Sequence, residues 1–593
     1  MRNLAEKRAQ SLKTSVPDVG LAPSAPPEAD TSLARSIVTA FHELGVRESF
    51  GVSGGAIALL FDALADSPID LRHFRHETGA AFAATEAYFA TGRPTLVYAT
   101  TGPGALNALT GVTAAKWDGA KVILVTGATS SPQRGRWATQ ETSSYTLPQD
   151  ALYSKGAIFD FAVRMENASE LPEVLRRLAT GLARPGGFVA HVCLPMGAQA
   201  SRVERRACPP VRPLAPTAPA GEIAEIARLL KSDTFAIWVG FGATGSAPLV
   251  RDLVERTGAK VFCSPRAKGV VPEDHHQFLG VTGLGGHSAV NEYMIQSKPA
   301  RVLVLGSRLG EATSFWDRDL VPAVQFIQVD IDPEVPGTSY PDADTFAVHA
   351  DIGAFLESLL EHFQVRPLRR GPRTPRHWEE PVTMRLTGRS PVRPQVLMDV
   401  LQRRVVNDSD ALVLAECGNS FAWCNHHLRF RQPGRYRVST LFGSMGHAAT
   451  GVVGAALARQ GKAVAVVGDG SMMMNSELSS AAQYGAQAVW VVLNDAGYGM
   501  CRDGHQALSL TGEQLDIPRV DFAAMARSMG AAGIRVDTED MLEVALDEAM
   551  AADGPFVIDV TIDPNETSPL LARFESLIKQ GSSKNQKVAG WET

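Results

Sequence analysis

The stretch KAVAVVGDGSMMMNSELSSAAQYGAQAVWVVLNDAGYGM, residues 462–500, decides the fold class. An apolar run ends at Gly468-Asp469-Gly470, a helical stretch covers roughly 475–486, and a second apolar run ends at Asn494-Asp495. Strand, helix and strand in this order form a right-handed βαβ unit, whose two strand ends emerge at the same edge of a parallel sheet. The 26 positions from Asp469 to Asp495 therefore close up in space, and two oxygen-donor side chains come to flank a helix start. That arrangement suits a hard cation and the phosphates it carries. Gly468 and Gly470 free backbone N–H groups to face a diphosphate, with Ser471 beside them, and Gly497 offers a carbonyl to the metal. An octahedral Mg²⁺ would be completed by diphosphate oxygens and water. GDG alone marks a strand-to-helix turn; GDG with this spacing and the LND-x-GYG ending is far more specific.

The same alternation extends to both sides. From Pro391 to about Asp563 the runs ALVLAE, AVAVVGDG, VWVVLND and FVIDVTI read as strands. A middle block follows the proline-rich PPVRPLAPTAPA (209–220) and carries FAIWVG, KVFCS, RVLVLG and QFIQVDID. Nearest the N-terminus, Leu33, Ile37, Phe41 and Leu44 recur at helical spacing before a Gly45 stop, and the strands SFGV, TLVYAT and KVILVTG follow. A chain of 593 residues exceeds what one hydrophobic core serves. The expectation is an α/β protein of three doubly wound parallel-sheet domains, 31–200, 215–365 and 391–565. A disordered leader (1–30), an exposed Arg/Pro-dense linker (366–390) and a tail (566–593) complete it.

A formal net charge of −6 gives no general attraction to nucleic acid or to an anionic membrane surface. No apolar run approaches the length of a membrane span. The first 30 residues lack a secretory apolar stretch; their basic start weakly resembles an organellar transit peptide, and their acidic residues count against it. Six scattered cysteines form no CxxC pair, which argues against a disulfide framework or zinc site and for a reducing cytoplasm.

The 462–500 segment resembles the diphosphate-binding motif of thiamine-diphosphate-dependent enzymes, with Asp469, Asp495 and the Gly497 carbonyl as the implied metal ligands. The commonest form of the motif has asparagine where Asp495 stands, so this chain places an extra negative charge beside the diphosphate. RHETGAAFAATEAYFATGRPTLVYATTGPGALN (75–107) matches the other half of the family's site. The cofactor's thiazolium C2 loses its proton to the aminopyrimidine once a carboxyl group on the pyrimidine ring promotes the imino tautomer. Glu77 matches that carboxyl group, and Gly102, Gly104 and Asn107 belong to the loop that approaches the pyrimidine. Met445 matches the apolar residue that holds the cofactor bent, and Gly418 and Asn419 lie where the family contacts the diphosphate. The resemblance implies pyrimidine-binding, central and diphosphate-binding domains in that order. It also implies a homo-oligomer, dimer or tetramer, in which Glu77 and Asp469 of different subunits face each other across a dimer interface.

Within the family the nearest resemblance is to acetolactate synthases. FGVSGGA (50–56) resembles their FGxPGGA with Ser53 replacing proline, and TQE (139–141) matches their FQE with Thr139 replacing phenylalanine. Gln140 is the residue placed to reach the bound intermediate. Simple 2-oxo acid decarboxylases carry a His-His pair where SSPQRGRWATQETSSYT (130–146) has no histidine, which favours carboligation. The implied reaction is decarboxylation of a 2-oxo acid such as pyruvate, with the acyl-anion equivalent passed to a carbonyl acceptor. An acyloin lyase or a 2-oxo acid decarboxylase is the alternative. In the middle block GFGATG (240–245) fits GxGxxG, and alone it suggests the site of a nicotinamide-dependent dehydrogenase. That reading leaves Glu77 and the GDG segment without a role. SPRAKGVVPEDHHQFLG, LGSRLG and FIQVDIDP instead resemble the family's central domain, which holds a redox-silent FAD in some relatives and nothing in others. Tyr498–His505 and the tail after Pro564 resemble elements that close over the site, with His505 either an acid/base or an exposed loop residue.

Overall fold

The computed structural model describes residues 31–576, apart from 205–206, 213–214, 365–383, 508–509, 511–513, 571–572 and 575. The expected leader, most of the Arg/Pro linker and the end of the tail lie outside the described residues.

Three six-stranded sheets, all parallel, form the frame. The first runs, in spatial order, Asp70–His73, Glu48–Gly51, Thr95–Ala99, Lys121–Ala128, Phe188–Pro195 and Phe161–Arg164. The third runs Tyr436–Val438, Leu412–Ala415, Ala463–Gly468, Ala488–Asn494, Phe556–Thr561 and Ala532–Val536. Both follow the chain order 2-1-3-4-6-5. The middle sheet runs Phe278–Val281, Lys260–Cys263, Phe235–Val239, Arg301–Leu305, Gln325–Asp330 and Thr345–His349, the order 3-2-1-4-5-6. The central strands of the third sheet are rich in Val because helices cover both faces. Val464, Val466, Val489 and Val491, for example, are fully buried.

Local signals set the element ends. Ser32 caps helix Leu33–Glu43 by accepting from the Arg35 N–H at 3.3 Å, and Gly45 turns the chain at φ +96°. The helix expected over 475–486 is shorter, Leu478–Tyr484, and a separate turn occupies Asp469–Met472. Glu477 accounts for the break. It is fully buried, and its carboxylate accepts from the Arg75 and His76 N–H groups, at 3.1 and 3.0 Å, just ahead of helix Glu77–Thr91.

The first and third domains meet along that helix and helix His447–Arg459. Alanines and glycines line the contact, and a Cβ on Gly454 would come within 2.0 Å of the Ala83 carbonyl oxygen. Buried charge fastens the same junction. Glu86 accepts from Arg437 Nε (3.0 Å) and Nη2 (3.1 Å) and lies 2.9 Å from His447 Nε2. Burial opposes its charge, but Arg437 and His447 outweigh burial and hold Glu86 far below the usual carboxylate range. Arg437 stacks 3.6 Å over Phe89, and Arg266 of the middle domain stacks 4.0 Å over Phe241. No helix among the described residues is long and apolar enough to cross a membrane.

Candidate active site

In the third sheet the strand order reverses between Leu412–Ala415 and Ala463–Gly468, and ligands of open α/β sheets settle outside such a switch point. Gly418, at φ +93°, turns the first strand into helix Asn419–His427, while Gly468 leads the second into Asp469–Met472. Between them lies a cavity of about 350 Å³. Its lining contains every cofactor- and metal-binding residue expected on this domain: Gly418, Asn419, Met445, Gly468, Asp469, Gly470, Ser471, Asp495 and Gly497. A Cβ added at Gly418 or Gly468 would meet no protein atom within 4 Å, so the backbone at both stays open. Gly470 is different: a Cβ there would strike the Tyr498 ring at 2.8 Å and approach Met445 Cε at 3.6 Å.

Asp469 joins the two strand ends. Its Oδ1 accepts from the Gly470 N–H at 2.7 Å and its Oδ2 from the Gly497 N–H at 3.1 Å. Burial, then the neighbouring charge of Asp495, pushes Asp469 up to about 6. Burial also raises Asp495, against the pull of Arg502, which it contacts directly. Arg502 offsets Asp495, but buried Asp469 has only backbone N–H partners, and a hard divalent cation suits such a pair of carboxylates. Asn419 adds an orphan: its Nδ2 donates to Asp503 at 3.0 Å, and its buried Oδ1 has no partner. The residues present therefore fit a metal–diphosphate group.

The first domain gathers a second set. Glu77 opens its helix, where the dipole favours a carboxylate, and is 7% exposed. Asn107 Nδ2 donates to Glu77 Oε2 at 3.0 Å and so orients that carboxyl group. A Cβ on Gly104 would lie 3.0 Å from Glu77 Oε1, so this glycine also serves the close approach of loop and carboxylate. Gly102 (φ +58°) faces the Gln140 carbonyl oxygen, which an added Cβ would approach to 2.9 Å. Gln140 itself is at φ +55° with an exposed side chain. Glu141 braces this loop by accepting from the Gly135 and Ala138 N–H groups. Gly102 and Gln140 line another cavity with Pro103, Leu106 and Trp137, and it shares no residue with the first. Within one chain neither Glu77 nor Gln140 lines the cavity of Asp469.

His505 lies on helix Gly499–Ala507 and lines neither cavity. The first two glycines of GFGATG serve packing: Cβ atoms on Gly240 and Gly242 would strike Gly306 at 2.1 and 2.9 Å, so two loops press together at the middle sheet's switch point.

Comparison with known proteins matches three consecutive thiamine pyrophosphate (thiamine diphosphate) enzyme models. They are the N-terminal TPP binding domain over 31–147, the central domain over 223–359 and the C-terminal TPP binding domain over 416–560. The chain belongs to the thiamine pyrophosphate enzyme family. It is an enzyme that uses this cofactor to act on carbon–carbon bonds. The acetolactate synthase isozyme 2 large subunit of Escherichia coli is 28% identical over 90% of this chain and 96% of its own length. An acetolactate synthase of Mycobacterium bovis is 27% identical over 89% of this chain and 88% of its own. Among solved structures, benzoylformate decarboxylase from Polynucleobacter necessarius shares the fold, with a TM-score of 0.77 and 19% identity over 91% of this chain and 99% of that one.

Arg502, Asp503, Ser568 and Glu477 shape the site and were not legible as such beforehand. Arg502 and Asp503 fall in a stretch already placed near the site by resemblance; Ser568 and Glu477 carry no motif.

Proposed function

We propose that this enzyme is a Mg²⁺-dependent carboligase of the acetolactate synthase type, which decarboxylates a 2-oxo acid such as pyruvate and joins the remaining acyl unit to a carbonyl acceptor. The observation that carries the choice of carboligation is the loop Ser130–Thr146. It docks on Gly102, contains no histidine, and turns its one carboxylate, Glu141, into backbone hydrogen bonds. A loop without a free acid does not favour quenching of the acyl-anion equivalent by a proton, and capture by a second carbonyl compound follows.

In this reading Asp469, Asp495 and the Gly497 carbonyl hold the metal, and the backbone at Gly418, Gly468 and Gly470 receives the diphosphate. Met445 shapes the cavity where the cofactor bends. Glu77, oriented by Asn107, holds a proton at the pyrimidine ring. The bound cofactor supplies the electron sink for loss of CO₂. The two half-sites of one chain are separate, which supports a homodimer or larger homo-oligomer with each site completed by a second copy. Any FAD on the middle domain takes no part in electron flow. All six thiols are unpaired, in keeping with a cytoplasmic enzyme.

Incubation with pyruvate, thiamine diphosphate and Mg²⁺, with products read by mass spectrometry, tests the proposal. CO₂ with a five-carbon acetohydroxy acid is expected. Acetaldehyde as the sole organic product would replace carboligation with simple decarboxylation.

A further inference from the structure

We propose that Arg573, carried by the segment after the last strand, is a diphosphate-binding residue. The inference rests on the reading above that the switch-point cavity takes a metal–diphosphate group. Two arginines and no lysine line that cavity, Arg502 and Arg573. Arg502 is engaged: it contacts Asp495 and donates to Asp516 at 3.2 Å. The other acids on the wall are engaged as well. Asp503 accepts from Asn419 at 3.0 Å and from Ser568 at 2.6 Å. Asp563 and Glu566 accept from Arg389 at 2.8 and 3.1 Å. Among the described residues the Arg573 guanidinium has no hydrogen bond or ion pair, so it is the cation of the lining that the protein leaves unspent.

Its position is built. Asp503 links Asn419 of the cavity lining to Ser568 in the final segment. Gln395 donates to Glu566 at 2.8 Å, and Leu570 is 1% exposed. Arg573 and Phe574 then turn back on Leu570 through N–H to carbonyl bonds of 2.9 and 3.1 Å. Phe574 packs against the apolar core of the third domain. Anchors on both sides thus hold Arg573 in the lining of the cavity that Gly418, Gly468 and Ser471 also line.

Charge supplies the reason. Where the family commonly has a neutral asparagine this chain has Asp495, and Arg502 is spent on that extra carboxylate. A diphosphate carries more negative charge than one Mg²⁺ neutralises, and a guanidinium meets phosphate oxygens with paired, charge-assisted hydrogen bonds. The carboxylate of a 2-oxo acid donor is a poorer partner. A cation gripping a group that must leave as CO₂ stabilises the ground state more than the transition state.

The test is a titration of the metal-loaded, full-length protein with thiamine diphosphate and, separately, thiamine, followed by tryptophan fluorescence and thermal shift. Arg573→Ala should weaken thiamine diphosphate binding by about tenfold to a hundredfold. It should leave thiamine binding and the melting temperature of the cofactor-free protein unchanged, and Arg573→Lys should recover part of the loss. Unchanged thiamine diphosphate affinity overturns the inference. If the KM for the oxo acid rises instead, Arg573 serves a substrate carboxylate; if nothing moves, it is a surface arginine. Asp469→Ala keeps the two readings apart. Loss of binding in that variant with none in Arg573→Ala sinks only the arginine, whereas a wild type that gains no stability from cofactor and metal removes the site itself.

Discussion

Asp495 shows how a single residue departs from a motif without breaking the site. Its carboxylate lies beside Asp469, burial raises both, and Arg502 supplies the compensating charge. Replacing Arg502 with methionine should destabilise the metal-free protein by about 1–2 kcal/mol, because the pair is only partly screened by solvent. Mg²⁺ alone should then raise the melting temperature of that variant more than that of the wild type. Adding Asp495→Asn to it should abolish the excess; a metal response identical in all three proteins contradicts the account. That Asp469, Asp495 and Gly497 gather at one cavity was legible because strand ends and glycines have few alternatives at a βαβ edge. Asn107 was legible as a residue of the loop near the pyrimidine, but its hydrogen bond to Glu77 was not. A loop sequence shows which polar groups are near a site and not which way they turn. Arg502 was hidden for the same reason.

At the scale of elements, helix and strand periodicity predicted the parallel units, and long-range contacts decided their ends. The break before Leu478 exists because Glu477 caps a segment some 400 positions earlier in the chain, a pairing that local pattern cannot carry. Strand Phe188–Pro195 holds another such contact. His191 is buried, with Nδ1 donating to the Leu152 carbonyl at 2.7 Å and Nε2 at 2.8 Å from the Thr126 hydroxyl. Burial pushes it down from 6.5 to about 4. The unfolded chain therefore takes up this proton first as pH falls, so its contribution is complete above pH 6.5 and is lost toward pH 4. Urea unfolding should lose about 2 kcal/mol to this residue between pH 7 and pH 5, and His191→Gln should remove that part of the slope. An equal loss in both proteins would show that another group is responsible.

Across the whole molecule, three α/β domains were legible, because each block repeats strand and helix between proline-rich joints. Their mutual packing was not. Glu86 pairs with Arg437 of the third domain, and Arg266 of the middle domain donates to the Asp118 carbonyl of the first at 2.8 Å, and nothing in their local sequence marks these partners. The division of the site between subunits rests on resemblance and on the separation of the two sets within one chain, and we propose that Glu77 of one copy and Asp469 of another make one catalytic centre. The direct measurement mixes two inactive variants, Glu77→Gln and Asp469→Asn, by co-expression. Glu77→Gln alone should keep its stabilisation by thiamine diphosphate and Mg²⁺ while losing turnover, and Asp469→Asn should lose both. In mixed dimers one site inherits both changes and the other neither, so about a quarter of wild-type activity should return for random pairing. Persistent turnover in Glu77→Gln alone, or no recovery in a mixture shown to contain mixed dimers, would contradict the account.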